Sequence, residues 1–146
     1  MHGILFFVVI LFTLLSHNIA SSEDLKTIDE VKAFSETVMQ SVVANDLKAA
    51  FDKTIPHTPS PQTEIEAVYL QLKTQREKIG NHFGKTTGYE FISSKKLGTS
   101  LLRLQYIEKM SKSALSWTFV FYNSGSRWSL IHFCCESNAH ILFNIQ

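Results

Sequence analysis

The sequence predicts an α+β domain: N-terminal helices packed on a curved, four-stranded antiparallel meander that forms a cone-shaped roll. Three observations carry this expectation. Apolar residues from Ile28 to Ile79 recur at steps of three and four, the helical period. Residues 89–97, 101–107, 115–122 and 128–135 then form four short runs rich in aromatic and β-branched side chains, each separated by a polar break. The only prolines, Pro56, Pro59 and Pro61, stand together before the last helical stretch, where they interrupt any regular element. The chain of 146 residues is long enough for one core and too short for two domains of ordinary size.

The first twenty residues are of another kind. Residues 4–15 are apolar except for Thr13 and carry no charge. A membrane span needs about 18 such residues, so this stretch reads as the core of a signal peptide over 1–20, cut after Ala20. The expected mature domain is 21–146, secreted or periplasmic. No Lys or Arg precedes the apolar run, and Asn18 fits the small-x-small cleavage rule poorly. An uncut leader acting as a tether is therefore the alternative, and the only membrane contact the sequence implies.

Fourteen basic against thirteen acidic residues give a formal charge of +1, which provides no field to draw the chain to nucleic acid. The two cysteines, Cys134 and Cys135, are adjacent. Neighbouring strand residues point to opposite faces, so two separate thiols are expected rather than a disulfide.

Taken in order, Ser21 and Ser22 before Glu23 and Asp24 offer a helix cap. The stripe Val31, Phe34, Val38 and Val42 defines the first helix, and Asn45 or Asp46 caps a second that buries Leu47, Ala50 and Phe51. Thr63 with Glu66 reads as the capping box of a third helix, striped by Ile65, Val68, Tyr69, Leu72 and Ile79 and stopped at Gly80. In the sheet, Gly98-Thr99 marks a tight hairpin, residues 108–114 a longer polar loop, and 123–127 a five-residue hairpin. Symmetric closure of that last hairpin sets Tyr122 opposite Trp128. One face then carries Trp117, Phe119, Phe121, Ile131 and Phe133, and the other Thr118, Val120, Tyr122, Trp128, Leu130, His132 and Cys134. Both faces are largely apolar, so helices are expected over one, and a ligand or a second copy of the chain over the other. Residues 138–146 read as a last strand or a short helical turn.

Three helices followed by a meander containing Gly98-x-Ser100-x-x-Arg103-x-x-Tyr106, Trp117-x-Phe119-x-Phe121-Tyr122 and Trp128-x-Leu130-x-x-Phe133 resemble the nuclear transport factor two-like, or cystatin-like roll, superfamily, and within it small exported bacterial proteins of unknown function. The resemblance implies a pocket at the open end of the roll. The superfamily includes isomerases, dehydratases, binding modules and dimerising partners, so it leaves activity open.

Acid–base chemistry needs carboxylates or imidazoles poised in such a pocket. No Asp follows Asp52, and the acids beyond Gly80 are Glu90, Glu108 and Glu136, of which Glu108 reads as a loop residue. The candidate catalytic group is therefore sparse: His132, expected to be buried in mid-strand, with Glu90 or Tyr106. Arg103 suits a carboxylate or phosphate, although pairing with Glu90 is its simpler fate. No His or Cys spacing fits a metal, and no motif calls for a cofactor. The reading that follows is a non-catalytic module for a small apolar or amphipathic ligand, or for a partner, with Arg103, Tyr106, Trp117 and His132 as ligand-binding candidates. A homodimer through the sheet face is the expected assembly, and a small isomerase, dehydratase or hydrolase is the alternative.

Overall fold

A computed structural model describes residues 24–144. The signal peptide and the Ser21–Ser22 cap lie outside the described residues. The chain forms helices α1 (Ile28–Val43), α2 (Leu47–Thr54) and α3 (Gln62–Phe83), then strands β1 (Thr86–Leu97), β2 (Leu101–Met110), β3 (Ala114–Asn123) and β4 (Trp128–Glu136). Short 3₁₀ turns follow α2 at Ile55–His57 and close the described chain at Ala139–Asn144. No helix among the described residues is long and apolar enough to cross a membrane.

Helices α1 and α2 each start where a side chain accepts from a first-turn amide, whereas α3 starts after Pro61 with no side-chain cap. Thr27 caps α1 in a complete capping box: its hydroxyl accepts from the Glu30 N–H at 3.2 Å, and Glu30 accepts from the Thr27 N–H at 2.9 Å. Asp46 caps α2 by accepting from the Ala49 N–H at 3.0 Å. The Thr63–Glu66 box does not form, because α3 starts at Gln62 and Thr63 already lies inside the first turn. Nor does α3 stop at Gly80. It continues to Gly84, which takes the left-handed φ of +85° and whose N–H bonds the Gly80 carbonyl. Ser111 packs against the backbone there, and a Cβ on Gly84 would come within 2.0 Å of its Oγ, so only glycine fits.

The strands form one antiparallel sheet in the order β1-β2-β3-β4. Strand β2 runs on to Met110, so Glu108 is a strand residue and not part of a loop. The last hairpin is shorter than expected: Asn123, rather than Tyr122, opposes Trp128. This shift of one residue turns Trp128 and Leu130 onto the face shared by Phe121 and Phe119, where both are buried. Farther along β4, Ile131 is an extra residue between the pairs Phe121↔Leu130 and Val120↔His132, and this bulge restores the expected side for Phe133. A second bulge at Ile92 in β1 separates Phe91↔Tyr106 from Ser93↔Gln105. Both bulge isoleucines are exposed, and both lie on edge strands, where bulges discourage pairing with other chains.

The helices cover one face only. Phe34 of α1 packs on Phe121 with ring centroids 6.2 Å apart, and Phe51 of α2 on Phe133 at 5.2 Å. The core under them includes Val31, Val38, Met39 and Val42 from α1 with Leu102, Leu104, Tyr106, Trp117 and Phe119 from the sheet. Helix α3 is the loosest layer, with Leu72 its one buried residue. With Trp128 and Leu130 on the helix side, the outer face is more polar than expected. Its large exposed apolar groups are Leu97 and Tyr122, with bulged Ile131 beside them.

Candidate functional site

Arg76 and Glu108 form the most elaborate polar arrangement in the described chain. Glu108 continues the buried face of β2, two residues beyond Tyr106, and is completely enclosed. Arg76 stands in the inward stripe of α3 between Leu72 and Ile79, with its side chain 11% exposed. Its Nη2 pairs with Glu108 Oε1, which also accepts from the Thr86 hydroxyl at 2.5 Å, while Oε2 accepts from the Trp117 indole N–H at 3.0 Å. Arg76 reaches in the other direction to Asn45 Oδ1 at 2.9 Å and to the Val42 carbonyl at 3.2 Å. One guanidinium therefore ties α3 to the end of α1 and to two strands. A buried charge persists only when paired and hydrogen-bonded in this way.

A cleft of about 680 Å³ opens over this network between the α1–α2 junction, α3 and the start of β1. Val43, Leu47, Tyr69 and Met110 give it apolar surface, and polar groups of both charges line the rest, with Lys73, Arg76 and Lys85 sharing the lining with the acids Asp46 and Glu77. A second cleft of about 610 Å³ lies on the other flank of α3, against Cys135 and Ile141, and Arg76 lines both. Gly80 borders the first cleft with open space where a side chain would project.

The residues singled out from sequence divide between the two faces of the sheet. Tyr106 and Trp117 pair with one another in the interior, fully buried. Burial above all, and then the Glu36 carboxylate, push the Tyr106 hydroxyl well above the ordinary tyrosine range. Arg103 and His132 lie on the outer face, in the row Lys95–Arg103–Val120–His132. His132 is exposed and not buried, because Trp128 and Leu130, expected beside it on this face, turn toward the helices instead. Its Nε2 lies 3.2 Å from Cys134 Sγ. Glu90 sits two rows away, opposite Ile107, and does not pair with Arg103. His132, Glu90 and Tyr106 are thus not brought together.

The thiols are free and on opposite faces, Cys134 beside His132 and Cys135 toward the core. Burial raises the pKa of both, most strongly for Cys135, to which the Glu108 charge adds. Neither has the lowered pKa of an activated nucleophile. Among the described residues no cluster of three or more His, Cys, Asp or Glu is arranged to hold a metal ion.

Arg76, Thr86 and Glu108 escaped the sequence reading, although their signal was present. Glu108 follows Leu102, Leu104 and Tyr106 at two-residue steps, and Arg76 lies four residues after Leu72. A charge of each sign at core-facing positions marks a buried pair once the two faces are aligned. Comparison with known proteins adds no family: no family model matches the chain, nor does any curated protein or solved structure.

Proposed function

We propose that the protein is an exported, non-catalytic binding module, and that the cleft over Arg76 receives a small amphipathic ligand. The observation that carries this reading is the cleft itself. Its volume of about 680 Å³ lies in the range of small-molecule sites, and its lining sets an apolar group, Val43, Leu47, Tyr69 and Met110, against an equal share of polar and charged side chains, the two-sided surface that an amphipathic molecule matches. Glu108 is no acid–base group for this cleft, because it is enclosed beneath the lining and both its oxygens already accept hydrogen bonds from Arg76, Thr86 and Trp117. Export rests on the uncharged apolar stretch at residues 4–15. The order of helices and meander supports placing the chain in the nuclear transport factor two-like roll, with a cone-shaped sheet.

The test uses the dye 8-anilinonaphthalene-1-sulfonate, an amphiphile that brightens in apolar sites. The full chain is expected to bind one equivalent saturably, and Gly80→Trp, which projects an indole into the cleft, to abolish the signal. Equal binding by G80W would remove the cleft from the account.

A further inference from the structure

The outer face of the sheet holds a cation that its surroundings leave uncompensated. Arg103 stands on the central strand β2, partly buried, and makes no ion pair among the described residues. Its Nε and Nη2 are enclosed and make no hydrogen bond. These two nitrogens form one edge of the guanidinium, whose N–H groups run parallel and match the two oxygens of a carboxylate. No group on the same face serves as that acceptor. Ser93 donates to the Gln105 side-chain carbonyl at 3.0 Å, and Glu90 lies opposite Ile107, about 13 Å along the strand from Arg103 at ~3.3 Å per residue. Lys95 and His132 extend the row as further donors. On the apolar side, Leu101 and Tyr122 pair in the next row, and Val120 sits directly beside Arg103. Helices α1 to α3 pack on the opposite face, so no helix covers this one, and a ligand reaches the guanidinium edge once the side chains that enclose Nε and Nη2 turn aside.

We propose that this face binds a small amphipathic acid. Its carboxylate takes two hydrogen bonds from the Nε–Nη2 edge of Arg103, with Lys95 alongside, and its hydrocarbon body lies on Val120, Leu101 and Tyr122. A single two-donor edge fits a planar carboxylate; a phosphate dianion calls for further donors converging on its other oxygens, whereas Lys95 and His132 are spread along the row, one on the neighbouring strand and the other two strands away. The site is separate from the cleft over Arg76 and does not depend on it.

Octanoate, octanol and octyl phosphate, titrated calorimetrically into the full chain, provide the test. Octanoate is expected to bind one-to-one, and octanol at least about tenfold more weakly. Arg103→Gln should bring octanoate down to the octanol level, while Arg103→Lys, which keeps the charge but loses the paired donors, falls between. Circular dichroism and the thermal midpoint establish that each variant is folded, and R103K carries the test if R103Q is not. Gly80→Trp should leave octanoate binding intact. The proposal is overturned if octanol or octyl phosphate binds as tightly as octanoate, if R103Q binds octanoate like the parent, or if G80W abolishes the binding. A dimer at micromolar concentration that octanoate does not dissociate would overturn it as well.

Discussion

The Arg76 guanidinium on α3 and the Glu108 carboxylate on β2 form an ion pair in which Glu108 has no exposure to solvent. The pair joins the helix with the fewest buried residues to the centre of the sheet. Breaking it from one side leaves a buried charge without its partner, which costs about 3–5 kcal/mol. Glu108→Gln or Arg76→Ala should therefore lower unfolding free energy in urea by that amount. The double replacement Arg76→Met with Glu108→Leu should cost less than either single change, since it removes both charges together. Because Trp117 donates to Glu108, the fluorescence of the folded E108Q protein should shift as well.

The bulge in β4 assigns neighbouring aliphatic residues opposite fates. Leu130 is buried at 3% exposure, whereas Ile131 is 45% exposed. Leu130→Ala should cost about 2–5 kcal/mol. Ile131→Ala should stay within about 0.5 kcal/mol, as exposed substitutions do. Comparable losses at both positions would contradict the register.

These cases mark how far the sequence was legible. The helical stripe of α1, the Asp46 cap and the four-stranded meander follow from periodicity and local chemistry, which act within a few residues. The faces of Trp128 and Leu130 did not, because a hairpin one residue shorter inverts every side chain after it, and a bulge inverts them back. Arg103 and His132 stand out in the sequence as polar residues within apolar strands, but the exposure of His132 and the outer face they share depend on that same register. The Arg76–Glu108 pair spans 32 residues of sequence and appears only when α3 is laid over β2.

His57 gives a pH dependence of defined sign. Its ring packs edge-on against Phe34 with centroids 4.6 Å apart, and burial lowers its pKa below the ordinary value of 6.5. The unfolded chain takes up this proton at a higher pH than the folded one. The contribution to stability is therefore complete above about pH 6.5 and is lost as pH falls toward the lower folded value. Urea midpoints should decline over that window, and His57→Gln should flatten the decline.

Both thiols should resist alkylation in the native state. Burial raises each pKa, and Cys135 lies on the core side, so iodoacetamide at pH 8 should modify Cys134 before Cys135, and both far more slowly than in urea. Peptide mapping of a timed reaction gives the order. Rapid native labelling of Cys135 would mean that the packing between α3 and β4 opens readily.

The central claim is that the cleft over the Arg76–Glu108 pair is a ligand seat. Native mass spectrometry of the full chain, purified without denaturation from the cells that produce it, tests this most directly. The account predicts protein carrying one small molecule, released on unfolding and missing from Gly80→Trp, whose cleft is filled. Bare protein in every preparation, or protein whose every bound mass G80W retains, would contradict it.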